Sequence, residues 1–206
     1  MKNFLAAMFF VMSIGSCSAM QENQAQVVEA AQCVVIDSFN ISDYDVGFFY
    51  QKMHSVAIPA GKTKETALND FKQHVWDEVA QGERKILLMI DEDNGYLGHV
   101  FFVEQEDGRI RFSSPGFAVD PMLITTVFLS KLKSLNNQVH ELITFLHEND
   151  IAQFQNLFNY FGFLEDQLAA VPGIGEKYNL DMSGYKWFRL SKETEIKTIP
   201  KQKSGW

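Results

Sequence analysis

The side chains best suited to chemistry in this sequence are a carboxylate and several imidazoles on or beside short apolar runs. Glu104 and His99 lie on one predicted strand, and either could act as a general base. They are an odd number of residues apart, so alternation along a strand places them on opposite faces. His140 and His147 flank another predicted strand and also face opposite sides. The sequence therefore offers single candidate bases and no metal-binding histidine pair.

The acidic run from Asp91 to Gly95 has the composition of a calcium loop. An EF-hand loop needs its glycine one position later and a glutamate at the twelfth position, where this chain has Phe102. Asn-Gly between apolar runs is typical of a hairpin turn, because both residues adopt positive φ. Gly173-Ile174-Gly175 lacks the third glycine of a dinucleotide-binding turn and is predicted to be a loop. We expect no metal ion.

The first 19 residues have the pattern of an export signal. Lys2 is their only charge, the run from Phe4 to Ile14 is apolar apart from one serine, and small residues follow. That run is too short to span a bilayer. Two processing sites remain open: cleavage before Met20, or a bacterial lipobox ending at Cys17, whose lipidation would anchor the chain to a membrane. We expect an exported protein, either secreted or an envelope lipoprotein.

The rest of the chain is acidic and has the length of one domain. Its formal net charge is −8, and loss of Lys2 with the signal gives −9. An acidic chain without a Lys/Arg stripe is not expected to bind nucleic acid. If Cys17 is lipidated or removed with the signal, Cys33 is the one free cysteine left, so a disulfide framework is excluded. We divide the chain into a signal at 1–19, a tether at 20–31, a domain at 32–192 and a disordered basic tail at 193–206.

Apolar spacing predicts elements in the order β, α, α, β, β, β, α, β, α, β, β. The predicted strands are Cys33–Phe39, Lys85–Ile90, Tyr96–Gln105, Arg109–Ser113 resumed at Phe117–Val119, Val139–His147, Phe163–Val171 and Tyr185–Leu190. The predicted helices start near Ser42, Thr63, Asp120 and Ile151, and the last ends at Gly162. This order predicts an α+β fold with a mostly antiparallel mixed central sheet and helices on both faces.

The stretch from His140 to Phe163 is a predicted buried strand, a polar turn and an aromatic helix closed by Gly162-Phe163. This pattern resembles the C-terminal half of the GCN5-related N-acetyltransferase (GNAT) family, and the element order coincides with that family over roughly residues 32–192. The resemblance implies two central strands that part from each other. It also implies that acetyl-CoA or another acyl-CoA binds beside them.

In the GNAT family a glycine-rich turn at a helix start holds the coenzyme A pyrophosphate. Val119-Asp120-Pro121 matches the entry to that turn, but Ile124 stands at the basic position and Val127 and Leu129 stand at the two glycines. We therefore predict a core-facing helix with a degenerate cofactor loop. If a cofactor binds, the resemblance assigns it to Phe117, Ala118, Val119, Thr125 and Thr126.

Further site residues follow from the resemblance. The family's tyrosine that protonates the leaving thiolate is replaced by Phe158, and Tyr160 is turned about 200° around the helix from that position. Tyr160 is nevertheless the nearest tyrosine to that position, so it is the candidate acid, and Glu104 is the candidate base. The resemblance places Phe49, Tyr50 and Trp76 beside the acceptor substrate.

Two functions remain open from the sequence. One is acyl transfer from acyl-CoA to the amine of a small molecule or peptide. The other is a catalytically inactive binding module of GNAT fold, secreted or lipid-anchored in the cell envelope. The element order and the Gly162-Phe163 helix end favour the first function. The missing glycines favour the second, and so does export, because coenzyme A is scarce outside the cytoplasm. Beside these two, the sequence leaves open a structural envelope protein that binds no ligand.

Overall fold

A seven-stranded mixed sheet organises the part of the chain that the computed structural model describes, namely residues 28, 30–47, 63–93 and 95–196. Its strands are β1 (Gln32–Ile36), β2 (Lys85–Ile90), β3 (Tyr96–Glu104), β4 (Arg109–Phe117), β5 (Glu141–His147), β6 (Leu164–Glu165) and β7 (Tyr185–Ser191). Their spatial order is β1-β2-β3-β4-β5-β7-β6. The predicted α+β fold with a mostly antiparallel mixed sheet is confirmed.

The two central strands, β4 and β5, run parallel and separate part of the way along. They pair only from Arg109↔Glu141 to Arg111↔Ile143, whereas every other pair of neighbouring strands is antiparallel. Beyond that point β4 follows β3 as far as Phe117, and β5 follows β7. The separation leaves a V-shaped cleft in the middle of the sheet, as the resemblance implied.

Local signals in the sequence set the ends of the helices. The helices are α1 (Lys64–Phe71, continued by a π-helical turn Lys72–Trp76 and by Asp77–Ala80), α2 (Pro121–Ser134), α3 (Glu148–Phe161) and α4 (Ile174–Tyr178). Asp120 caps α2 by accepting a hydrogen bond from the Met122 amide at 2.8 Å. Gly162 ends α3 at φ 80°, a conformation that costs glycine little.

The sheet has a differently covered face on each side. On one side, hereafter the α2–α3 face, Ile124, Leu132 and Phe161 pack on the sheet residues Leu142 and Phe102. On the other side, the α1–α4 face, α1 packs on Phe101 and its neighbours, and α4 packs on Ile143 and Trp187. Strand alternation assigns each sheet residue to one face or the other. The cleft therefore opens between two separate apolar layers.

Two predictions for residues 163–178 are wrong. The predicted strand Phe163–Val171 is only the two-residue β6, followed by a 3₁₀ turn at Gln167–Ala169. The Asp166 carboxylate accepts from the Leu168 amide at 2.9 Å, so side-chain capping ends the strand. The glycine-containing loop predicted at 172–175 enters the helix α4, which the buried Ile174 anchors.

Other boundaries differ from the predictions. Ser42 lies inside a 3₁₀ turn, Ile41–Asp43, so it does not cap the next helix. The helix α3 begins at Glu148 instead of Ile151, because the His147 ring accepts from the Asn149 amide at 3.3 Å. The packing also extends past the predicted domain end at 192, since the Lys133 ammonium donates to the Thr194 carbonyl at 2.5 Å.

The predicted signal, Cys17 and most of the predicted tether lie outside the described residues, as do 48–62 and 197–206. Among the helices that are described, none has both the length and the apolar character needed to cross a bilayer.

Candidate functional site: a cleft between the parted strands

A cavity of about 190 Å³ occupies the V between β4 and β5. Residues from both faces of the sheet line it, from the start of α2 on one side to Tyr178 of α4 on the other. Such a cavity at a break in strand pairing is a common place for a ligand, because two strands expose their edges there. We therefore take this cleft as the candidate site.

The wall on the α2–α3 face is aromatic. Phe158 lies between two other rings, with centroid distances of 4.8 Å to Phe163 and 4.8 Å to Phe188. Phe128 and Leu129 of α2 complete this wall and are almost fully buried. The side of the cleft below α2 and α3 is therefore suited to apolar groups.

The start of α2 does not fit a pyrophosphate. Ile124 and Leu129, at the positions of the family's basic residue and second glycine, are 0% and 1% exposed and belong to the core. The Asp120 carboxylate already accepts the Met122 amide, which puts a negative charge where a phosphate would bind. Thr126 donates its hydroxyl back to the Met122 carbonyl at 2.9 Å, whereas Thr125 lines the cleft. The core-facing helix predicted from the sequence is what the structure has.

The end of β4 offers less hydrogen-bonding capacity than the resemblance implied. Phe117 lines the cleft. The amide of Ala118 donates to the Leu97 carbonyl at 2.8 Å, so it is engaged with the preceding strand. Val119 packs against the core as a half-buried side chain. Of these three residues only Phe117 meets the cavity.

The candidate catalytic residues are not brought together. Glu104, at the far end of β3, pairs with the Lys85 ammonium at 2.6 Å and accepts from the Asn136 amide at 3.0 Å. Tyr160 packs edge-to-face on Phe161 at 5.0 Å, away from the cavity lining. The cleft therefore receives neither the candidate base nor the candidate acid.

His99 and Trp76 do not line the cleft. His99 is fully buried, with its Nδ1 2.5 Å from the Tyr96 hydroxyl, and burial raises the pKa of Tyr96. Trp76 is buried beside Phe71 on the α1–α4 face and does not line the cleft. Phe49 and Tyr50 lie outside the described residues.

The wall on the α1–α4 face is cationic, which the sequence did not predict. Arg84, just before β2, and Arg111 of β4 are 8% and 4% exposed and both line the cleft. Each guanidinium donates to the Tyr178 hydroxyl at 3.2 Å and lies 5.5 Å from the centre of its ring. A charged residue inside a central strand was the available signal, since Arg111 alternates with the apolar Ile110 and Phe112.

Tyr185 lines the cleft and lies near Asp150 at the start of α3. Burial, and then the nearby Asp150 carboxylate, raise the pKa of Tyr185 above its usual value. The phenol is therefore neutral at physiological pH and can donate a hydrogen bond. Within the described residues, no group of three or more histidine, cysteine or acidic side chains could hold a metal ion.

By sequence, no protein family and no curated protein matches the chain. Solved structures are similar in fold. A probable acetyltransferase from Staphylococcus epidermidis aligns with TM-score 0.51 and 10% identity over 78% of this chain and 98% of its own. The Campylobacter jejuni N-acetyltransferase PseH aligns with TM-score 0.50 and 9% identity over 79% of this chain and 98% of its own. A Vibrio cholerae spermidine/spermine N-acetyltransferase, SpeG, aligns with TM-score 0.50 and 10% identity over 81% of this chain and 95% of its own. The chain therefore has the fold of the GNAT acetyltransferases.

Proposed function

We propose that this protein is a GNAT-fold binding module that holds a ligand in the cleft between β4 and β5 and does not transfer acyl groups. The observation that carries the proposal is the start of α2. Ile124 and Leu129 are buried and stand at the sequence positions that the resemblance assigns to the pyrophosphate turn, and the carboxylate of Asp120 caps the same helix. The cleft itself stays open. A fold can keep its pocket after losing its chemistry.

N-acyl transfer from acyl-CoA to an amine is the second candidate function. The parted strands favour it, because that family places its acyl donor in such a cleft. The residues at α2 do not fit the pyrophosphate of that donor. Phe158 also has no proton to give a leaving thiolate, and Tyr160 lies off the cavity.

Calorimetric titration of the mature protein with acetyl-CoA and with pantetheine separates the two functions. A binding module without a pyrophosphate site should bind neither at micromolar concentration, or should bind both equally weakly. An acyltransferase should bind acetyl-CoA in the micromolar to millimolar range typical of enzyme substrates and pantetheine far more weakly.

The variant Asp120→Asn sharpens this titration. If a pyrophosphate binds beside α2, removing the carboxylate should tighten acetyl-CoA binding, because a repulsion is relieved. We expect no change. Asp107→Asn, in the turn before β4, is the matched control. Micromolar binding of acetyl-CoA that tightens in Asp120→Asn and not in Asp107→Asn would overturn the proposal.

The proposal includes export, with the protein either secreted or held at the envelope by a lipid on Cys17. An exported module would meet ligands of the envelope or the medium. Fatty-acid labelling of cells that express the wild type and Cys17→Ser distinguishes the two forms: label that disappears in the variant indicates the anchor, and no label on either protein indicates a cleaved signal.

A further inference from the structure

The cationic wall of the cleft carries one more positive charge than the described residues neutralise. Arg84 forms an ion pair with Glu78. No carboxylate of the described residues lies within ion-pair distance, 4.0 Å, of Arg111. Arg111 is thus a buried guanidinium without a counter-ion in this part of the chain.

The same two arginines have hydrogen-bonding capacity to spare. The Nε–H groups of Arg84 and Arg111 are both buried and have no acceptor within the described structure. Burying a donor without an acceptor is costly, and burying an unpaired charge costs more. Both side chains line the cavity, so an anion that enters it lies beside two buried guanidinium groups.

Tyr178 holds these arginines in place. Its hydroxyl accepts from both guanidiniums at 3.2 Å, and its ring centre lies 5.5 Å from each. The helix α4 that carries Tyr178 packs on the sheet through the buried Ile174, which clusters with Ile143 and Trp187. The two arginines of the cationic wall are therefore held in place by Tyr178, unlike mobile side chains on the surface.

The opposite wall determines the rest of the ligand. Arg111 alternates along β4 with Phe112, so the two side chains point to opposite faces of the sheet, and both line the cleft. On the far side of the cleft lie the aromatic wall around Phe158 and the hydroxyl of Thr125, which is buried without a partner among the described residues. The cavity thus joins a cationic wall to an apolar one.

We propose that the cleft binds a monocarboxylic acid with an apolar body, its carboxylate on Arg111 and its body against the aromatic wall around Phe158. Asp150 also lines the cleft, but it forms no ion pair with Arg111. The charge of Arg111 is therefore left for one ligand carboxylate, whose two oxygens match the planar guanidinium fork. This inference names the ligand class for the proposed function. It rests on the cleft being a binding site, but not on whether acyl transfer takes place.

The test uses octanoate as the probe, with 1-octanol and inorganic phosphate as comparison ligands. Octanoate should bind the mature protein in calorimetry and raise its melting temperature. Octanol, which lacks the charge, and phosphate, which lacks the apolar body, should both bind more weakly. Arg111→Met should weaken octanoate binding at least about tenfold, the loss expected for a charge-assisted contact. Arg109→Met is the matched control, because Arg109 lies on the same face two residues earlier and is paired with Asp107 at 2.7 Å.

A second readout separates a ligand-binding role of Arg111 from a structural one. Without ligand, Arg111→Met should melt about 2–4 °C higher than the wild type, because it removes an uncompensated buried charge. A purely structural arginine would instead give a lower melting temperature.

The inference is overturned if octanoate binds Arg111→Met as well as it binds the wild type, if phosphate binds as tightly as octanoate, or if no octanoate binding occurs. None of these outcomes involves coenzyme A. The failure of this inference is therefore distinguishable from the failure of the proposed function, which the acetyl-CoA titration decides.

Discussion

Leu129→Gly is expected to lower the free energy of unfolding by about 3–6 kcal/mol. The side chain is 1% exposed in the core below α2, so its removal leaves a cavity that costs about 2–5 kcal/mol. Glycine inside a helix costs about 1 kcal/mol more. Chemical denaturation monitored by circular dichroism measures the difference.

The control for this variant is Ser130→Gly, the next residue of the same helix, whose side chain is exposed. Its expected cost is about 0.5 kcal/mol, the helix-propensity difference alone. A working pyrophosphate turn has a glycine at the position of Leu129. If Leu129→Gly proved as mild as Ser130→Gly, position 129 would not belong to the core.

Ile124→Arg, which restores the family's basic residue, is expected to cost about 4 kcal/mol or more and to prevent stable folding at 37 °C. Ile124 is fully buried and lies close to Gly98 of β3, where an added Cβ would come within 3.2 Å of the isoleucine. A guanidinium there would have no solvent and no partner among the surrounding apolar side chains. The fraction of soluble protein and its melting temperature check this result.

Ser130→Arg is the control for Ile124→Arg, because arginine suits an exposed helical position and should change stability by less than about 0.5 kcal/mol. A folded Ile124→Arg protein that also gained affinity for coenzyme A would show that α2 can open a cofactor site. The account of a filled site would then be wrong.

The architecture was accessible from the sequence because its signals are local. Asp120-Pro121 marks a helix start and Gly162 a helix end, and both work within one turn of chain. The predicted loss of the cofactor turn also needed only the identities of Ile124 and Leu129. These features depend on few contacts distant in sequence.

The cationic wall was not accessible in the same way. Tyr178 lies 67 residues after Arg111 and 94 after Arg84. The contact also depends on the short helix α4, which was predicted to be a loop because of its glycines. The candidate pair Glu104 and Tyr160 failed to assemble for a related reason. Glu104 is held by Lys85 of the neighbouring strand, a contact between residues 19 apart in sequence, whereas Tyr160 lies on a side of α3 that does not line the cavity.

The central claim is that side chains of α2 occupy the space of the coenzyme A pyrophosphate. The most direct test is a titration of the ¹⁵N-labelled protein, prepared without the predicted signal at 1–19, with acetyl-CoA, followed through the amide signals of Met122, Leu123 and Ile124. We predict that these three signals do not move at millimolar ligand. Saturable shifts at all three amides would place a phosphate at the start of α2 and contradict the account.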